Sequence, residues 1–485
     1  MTVLSPPENT VGHVLRNRPF LLLWLSQLAT QVGANMVLYG LTVVVLKATN
    51  LSTAVSALFL SFLVPAVLLS ALAGVYVDRL DRRWVLVVTN LLRAGVLLGI
   101  WAVGTDLSSI LLLSILLSSI TVFFTPAEGA MIPFLVPRDQ LVTANGLFTL
   151  TLNAAFAIGY ALFGPLIVTV AGPETLILVV AALYLVAGLF CFTLPSDPPA
   201  PHAHESPLEA VGEVVGEAGR SVGGTLDQLR EGIAYIRTAP RISWSLIYLG
   251  IAASLVGVIG VLGPSFAERT LGLEPEDLVV VVLPLGLGIV TGVLILNLYG
   301  RYLPRRRAIE VGLIILGLLL LVLAVAGPVS RFLQGVDAAA PLVDLSAITS
   351  LVSVVIGIAF FAGTAYGIVA ISSQTQLQED IPEDVRGRVF GVLNMLVSVA
   401  SFLPIIIVGP ISDLVGTTNV IIVVAALVFL SGLVSVIRRG PLKPAEEHAM
   451  ASVIAEGQAL DTIGVAIRTG RTPGHARSDG DPPGG

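Results

Sequence analysis

Gly74-Val-Tyr-Val-Asp78-Arg79-Leu-Asp81-Arg82-Arg83 ends one long apolar run, and Trp84 opens the next. Gly74 and Asp78 are four residues apart, so they share one face at the end of a helix. A glycine there lets a second helix approach closely, and a carboxylate there suits the positive N-terminus of a neighbouring helix. Arg79, Arg82 and Arg83 place the turn on the cytoplasmic side of a membrane by the positive-inside rule. Without a helix partner, the same residues are an ordinary basic turn between two membrane helices.

Apolar runs of membrane-spanning length lie on both sides of this turn, at roughly 19–46, 52–77, 84–104, 107–132, 143–171 and 175–195. After a polar interruption they resume at roughly 242–267, 278–300, 308–327, 346–375, 389–413 and 418–437. The pattern predicts an all-α membrane protein with twelve transmembrane helices in two groups of six. Composition agrees: of 485 residues 55% are hydrophobic and 12% charged, more apolar surface than a soluble core needs. A single cysteine, Cys191, excludes an internal disulfide framework and a cysteine-clustered zinc site, and no metal or cofactor is expected. The first apolar run is too long for a signal-peptide core and lacks a small-residue cleavage site, so it is expected to stay in the membrane.

Orientation follows from the basic residues. With the N-terminus inside, two fall in 1–18, three in 78–84, one in 133–142, four in 196–241, four in 301–307, two in 379–388 and six from Arg438 onward. That puts 22 of the 26 on the cytoplasmic side, so both termini are expected there. Lys47, Arg269 and Arg331 fall in outer loops, and Arg93 alone lies within a span.

The two groups of six also read as copies. Adding 245 to Pro137, Asp139, Gly146, Gly164 and Pro165 lands on Pro382, Asp384, Gly391, Gly409 and Pro410. Arg79 and Arg83 fall on Arg301 and Arg305 at the shorter offset of 222, and a longer outer loop near 328–345 reconciles the two offsets. The second copy of the basic turn has Gly300 where the first has Asp78. Only the first copy is therefore equipped for a carboxylate-to-helix contact.

The spacing G-x-x-x-D-R-x-x-R-R between the second and third apolar runs resembles the loop 2–3 signature of the major facilitator superfamily (MFS) of transporters. Asp81 departs from it, where many members carry glycine, a position that the drug, macrolide and siderophore exporter branch often relaxes. The resemblance covers about 10–440 and implies two parallel six-helix pseudo-repeats with substrate held between them. It divides the chain into an N-terminal bundle (1–195), a cytoplasmic linker (196–241), a C-terminal bundle (242–438) and a tail (439–485). The linker opens on a proline-rich segment and continues with apolar residues from Leu208 to Ile236 at intervals of three and four, an amphipathic helix lying on the bundle or on lipid, or pairing with a partner helix. The tail is expected to be partly disordered, from about Gly470.

Resemblance also frames the candidate site. In the family, helices 1, 4, 7 and 10 line a central cavity. Gln27, Gln31 and Asn35 stand at intervals of four on helix 1, and Gln31 lies roughly 18 Å into its span. The stripe either faces that cavity or makes interhelical hydrogen bonds for packing. Tyr366 and Thr364 on helix 10 and Ser118 and Thr121 on helix 4 are further candidates, with Asn153 and Tyr160 on helix 5 and Asn394 on helix 11. Gly164-Pro165 and Gly409-Pro410 are expected to bend helices 5 and 11, either as gating bends or as the glycine and proline common in membrane helices. Glu128 is read as the one acidic residue clearly inside a span, and is expected to couple transport to protons or to form a salt link. Glu268, Asp413 and Asp106, near outer ends, are the alternatives. Arg93, with Asn90 on its side of helix 3, is either part of that machinery or a structural arginine bonded to carbonyls or to Glu128.

The resemblance implies a monomeric secondary transporter of the plasma (inner) membrane that exports a hydrophobic or amphipathic small molecule in exchange for protons. Asp78 and its arginines would close the cytoplasmic side against the start of helix 11. The alternatives are a lipid-related or metabolite carrier of the same fold, or a membrane receptor or scaffold that no longer transports. No P-loop, G-x-S-x-G or H-E-x-x-H is present, and the basic residues lack the interleaved aromatics of nucleic-acid binding, so neither an enzyme nor a nucleic-acid partner is expected.

Overall fold

The computed structural model describes residues 11–197, 240–272, 279–300, 304–326, 328–329, 350–380 and 403–439. Among these the secondary structure is entirely helical, as lipid requires of a chain with no closed barrel. The first half comprises α1 (Arg18–Thr49), α2 (Ser52–Asp78), α3 (Arg82–Val103), α4 (Leu107–Leu135), α5 and α6 (Pro173–Phe192). Here α5 is three consecutive pieces, Leu141–Ala155, a π-helical Phe156–Phe163, and Gly164–Ala171. The second half comprises α7 (Pro240–Leu271), α8 (Val279–Tyr299), α9 (Arg305–Ala324), α10 (Leu351–Asp380), α11 (Leu403–Val415) and α12 (Thr417–Arg439). Ten stretches among the described residues are long and apolar enough to cross a membrane; one, Arg138–Phe192, holds both α5 and α6, and α11 is described only over Leu403–Val415. The linker helix expected between Leu208 and Ile236 and the tail after Arg439 lie outside the described residues, as do Asn394, the start of helix 11 and the side chains of Asp78 and Asn153.

In the first half, short polar turns precede α3 and α4, and their carboxylates cap the helix starts. Asp81 accepts from the Arg83 N–H at 3.0 Å and begins α3; Asp106 accepts from the Ser109 N–H at 2.9 Å and begins α4. Large apolar side chains such as Leu112, Val170 and Leu427 point outward, as a lipid-facing surface demands.

Packing inside each half relies on close backbone approach. A Cβ on Gly288 would overlap the Phe360 carbonyl, and one on Gly292 the Thr364 carbonyl. From the other side, Gly363 faces the Leu285 carbonyl and Gly367 that of Ile289. Thus α8 and α10 interlock through two G-x-x-x-G faces, where small residues bring backbones into van der Waals contact and lipid supplies no hydrophobic drive.

Three apolar clusters show how the halves meet. One holds Phe20, Val85, Phe124 and Met131 from the first half alone, and another Tyr248, Ile309, Leu313 and Val369 from the second half alone. The third is shared, joining Val55, Leu58 and Tyr39 to Val261, Phe266, Ile405 and Val420. The shared cluster lies at the end away from the arginine turns. Polar and close glycine contacts between the halves fall in the same part of the bundle: Gly260 on Phe59, Gly286 on Ala161, Gly409 on Ser56, and a network around Asp413. Among the described residues the halves converge at one end and keep separate cores at the other.

Candidate functional site

Three groups of residues are candidates for the site. The first is a cavity of about 50 Å³ at mid-bundle, lined by Leu38, Phe59, Phe156, Tyr160 and Ala161 of the first half and by Val256, Leu285, Ile289 and Tyr366 among others of the second. The Tyr160 ring stacks on Phe156 at 5.2 Å and meets Tyr39 edge-on at 5.5 Å, an aromatic wall held by the π-helical turn of α5. That turn has a local cause. Pro165 has no N–H to give to a helical carbonyl, and the Gly164 N–H reaches back five residues to the Gly159 carbonyl. Gly159 in turn lies against the Val32 carbonyl of α1, leaving no space for a side chain.

Of the expected cavity residues, Tyr366 and Tyr160 are in this wall. Gln27 is buried, and its Nε2 donates to the Phe148 carbonyl of α5 at 3.4 Å. Gln31 and Asn35 are half-buried, and Asn35 Nδ2 donates to the Gln31 carbonyl at 2.8 Å. Leu38 stands seven residues beyond Gln31, so the amide stripe lies roughly 10 Å nearer the arginine end than the cavity. Ser118 donates to the Phe62 carbonyl of α2, and Thr121 and Thr364 each donate within their own helices.

The second group is a polar cluster inside the first half. Arg93 is 2% exposed; its Nη2 donates to Asn90 Oδ1 at 2.8 Å and its guanidinium lies 4.1 Å over Phe124 and 4.8 Å over Tyr184. Its Nε donates to the Thr89 carbonyl at 3.4 Å, so ring faces, one amide and one carbonyl satisfy this buried cation. Glu128 is buried in α4, within the electrostatic reach of Arg93, and its Oε1 has no hydrogen-bond partner among the described residues. No ion pair within 4 Å joins the two among those residues. Cys191 completes the cluster, with its Sγ 3.1 Å from Ser26 Oγ. Of the alternative acids, Asp106 is fully exposed, and Ser109, through hydroxyl and N–H, holds its carboxyl below the usual carboxylate range. It therefore carries no proton at neutral pH.

The third group is the arginine end. A Cβ on Gly74 would meet no heavy atom within 4 Å among the described residues. Arg82 pairs with Asp197 at 2.7 Å, Arg83 lies 5.0 Å over Phe192, and Asp81 accepts from Ser196, so the turn is tied to the start of the linker. Asp81, the departure from the family pattern, is thus a helix cap and a linker tether; an aspartate just before an apolar helix is a capping signal legible in sequence. In the second half, Glu310 of α9 is 0% exposed and pairs with Arg306 at 2.9 Å and Arg307 at 3.0 Å, while Ser435 of α12 donates to it at 2.9 Å. Glu310 corrects the expectation that Glu128 is the one acid inside a span. It lies at i+3 and i+4 from two arginines, where their charges offset its burial.

Apolar helices in two halves, converging at one end around an aromatic cavity and carrying buried charge in each half, have the make-up of an integral membrane transporter. The sequence profile of the Major Facilitator Superfamily matches residues 23–405, and the chain belongs to that family. It is 26% identical over 435 residues to the multidrug efflux pump Tap of Mycolicibacterium fortuitum, covering 86% of this chain and 95% of that protein. It is 25% identical over 388 residues to an uncharacterised MFS-type transporter, YfiS, of Bacillus subtilis, covering 79% and 84%. Among solved structures, the nucleoside transporter NupG aligns with a TM-score of 0.59 at 15% identity, over 87% of this chain and 100% of that one. A bacterial homologue of the human lysosomal transporter Spinster, inward-facing and unoccupied, aligns with a TM-score of 0.58 at 15% identity, over 88% and 99%. These two likenesses show the fold. The relatives are transporters rather than enzymes, and the chain is a multi-pass membrane protein that carries small molecules.

Proposed function

We propose that the protein exports hydrophobic or amphipathic small molecules across the inner membrane by proton antiport, as a monomer with both termini in the cytoplasm. The observation that carries this reading is the cavity between the halves. Its walls are tyrosine, phenylalanine and aliphatic side chains with no charged residue, a lining that offers nothing to a phosphate or carboxylate; at about 50 Å³ it has to widen before a substrate enters. Likeness to a named multidrug efflux pump supports the same substrate class.

The bundles 1–195 and 242–438 rock about this cavity, with the linker 196–241 and tail 439–485 on the cytoplasmic side. Among the described residues the halves are joined at the outer end, which supports an inward-facing reading of this arrangement. In the outward-facing state Gly74 and Asp78, with Arg79, Arg82 and Arg83, close the inner end against the start of helix 11. Gly164-Pro165 and Gly409-Pro410 are the points at which α5 and α11 flex. Glu128 takes the proton, with Arg93 as the neighbouring charge whose field it feels in both states. Gln31 and Asn35 serve the substrate on its way from the inner opening, and Gln27, buried against α5, holds the stripe in place.

Everted vesicles test this directly. Energised vesicles containing the chain are expected to accumulate an amphipathic dye such as ethidium and to stop when the pH gradient is collapsed. Tyr366→Ala should raise the apparent KM roughly tenfold, the scale expected for removing one aromatic ring from an apolar pocket. Dye movement that ignores the pH gradient, or an unchanged KM in Tyr366→Ala, contradicts the reading.

A further inference from the structure

Asp413, by sequence an alternative proton carrier, has a different place in the fold. It stands near the C-terminal end of α11 in the second half, and its carboxylate reaches across to the N-terminus of α2 in the first. Oδ1 accepts from the Ser52 N–H at 3.0 Å, and Oδ2 accepts from the Thr53 N–H at 2.8 Å and from Thr53 Oγ1 at 2.7 Å. Helix α2 needs this acceptor: Leu51 is its N-cap residue and supplies no side-chain bond to the orphan N–H groups of the first turn. Arg269, at the end of α7, completes the contact, donating to the Asn50 carbonyl at 2.7 Å and to Asp413 Oδ1 at 3.2 Å. Beneath it, Ser52 Oγ lies 2.7 Å from Ser265 Oγ, and Gly409 lets α11 lie directly on Ser52 and Ser56.

We propose that Asp413 is the positioning residue of the outer gate, holding the transporter inward-facing by capping α2 from the opposite half. This rests on the transport reading for its meaning in the cycle. The physical device is the one the sequence predicts for the inner gate with its parts exchanged. There a carboxylate at the end of α2 meets the start of helix 11; here a carboxylate at the end of α11 meets the start of α2. Each end of this helix pair thus carries one carboxylate, Asp78 inside and Asp413 outside. Neither has a copy at its repeat position, which is Gly300 for the first and Val168 for the second. When the outer end opens, the Ser52 and Thr53 N–H groups lose Asp413 and Arg269 loses the Asn50 carbonyl, while the Arg269–Asp413 pair stays together in the second half, so the contacts across the halves break as one unit. Asp413→Asn keeps the shape but removes the charge that two helix-start N–H groups and a guanidinium all favour.

The test reads conformation separately from transport. A cysteine at Ser56, which is buried against Gly409, is placed in a Cys191→Ser background in whole cells and exposed to a membrane-impermeant maleimide. Labelling is expected to be slow with Asp413 intact and about tenfold faster in Asp413→Asn, the size of a charge-assisted helix-terminal contact. Arg269→Gln, which leaves α11 untouched, should accelerate it in the same direction and keeps the test open if Asp413→Asn fails to insert. Unchanged labelling in an inserted variant of either kind overturns the proposal. Faster labelling in a protein that moves no dye upholds the gate while sinking the transport reading; dye export with unchanged labelling does the reverse.

Discussion

Glu128→Gln is expected to abolish dye export driven by a pH gradient, lowering it roughly 100-fold, the order of what deleting a proton-transfer group costs a catalyst. Substrate exchange down its own gradient should persist in the same vesicles. The side chains are nearly isosteric, so α4 and its neighbours keep their packing, but an amide neither takes nor releases a proton. The expectation rests on where Glu128 stands: buried, one carboxylate oxygen without a partner among the described residues, and near enough to Arg93 to feel its charge without being locked to it. A carboxylate in a fixed ion pair is held in one protonation state; one that lacks such a pair can change state as its surroundings change. Glu310 makes the contrast, since two arginines and Ser435 occupy both its oxygens. Export in Glu128→Gln that keeps its full dependence on the pH gradient would show the proton travels elsewhere.

Gly363→Val is the second large effect, and it acts on folding. The added side chain would have to occupy the space of the Leu285 carbonyl, and backbone cannot swing aside as the tip of a flexible side chain can. Helices α8 and α10 would have to separate along the whole G-x-x-x-G face, which on the scale of an overpacked core costs about 3 kcal/mol or more. Purified Gly363→Val should therefore aggregate on size exclusion or unfold well below the parent temperature. Gly95→Val is the control, because a Cβ there meets nothing within 4 Å among the described residues, and its profile should match the parent. A Gly363→Val protein as stable as the parent would mean that the two helices do not approach this closely.

Much of this architecture is legible in the sequence because lipid narrows the choices. Apolar runs of spanning length must be helices, the arginines at 79–83 and 305–307 must stay on one side, and the signature around Asp78 points to the family before any contact is seen. Asn90 and Arg93, three apart, are neighbours on any helix. What stays hidden falls into two kinds. Some signals are present and local: the facing G-x-x-x-G pairs of α8 and α10, the capping role of Asp81, and Glu310 beside its arginines. Others are not local at all. Asp413 and Thr53 are 360 residues apart, and nothing in either stretch shows that they meet. Contacts between halves also depend on the conformation adopted. Gly74 has open space around it among the described residues, and its predicted partner, the start of helix 11, lies outside them.

Trapping that opposite state tests the rocking mechanism most directly. In a Cys191→Ser background, cysteines replace Tyr76 at the inner end of α2 and Val389 at the sequence-predicted start of helix 11. A disulfide between them is expected to form when a proton gradient or substrate drives the protein outward-facing, and then to block transport until reduced. A pair that never crosslinks under any condition, in a protein that still exports dye, would contradict the mechanism.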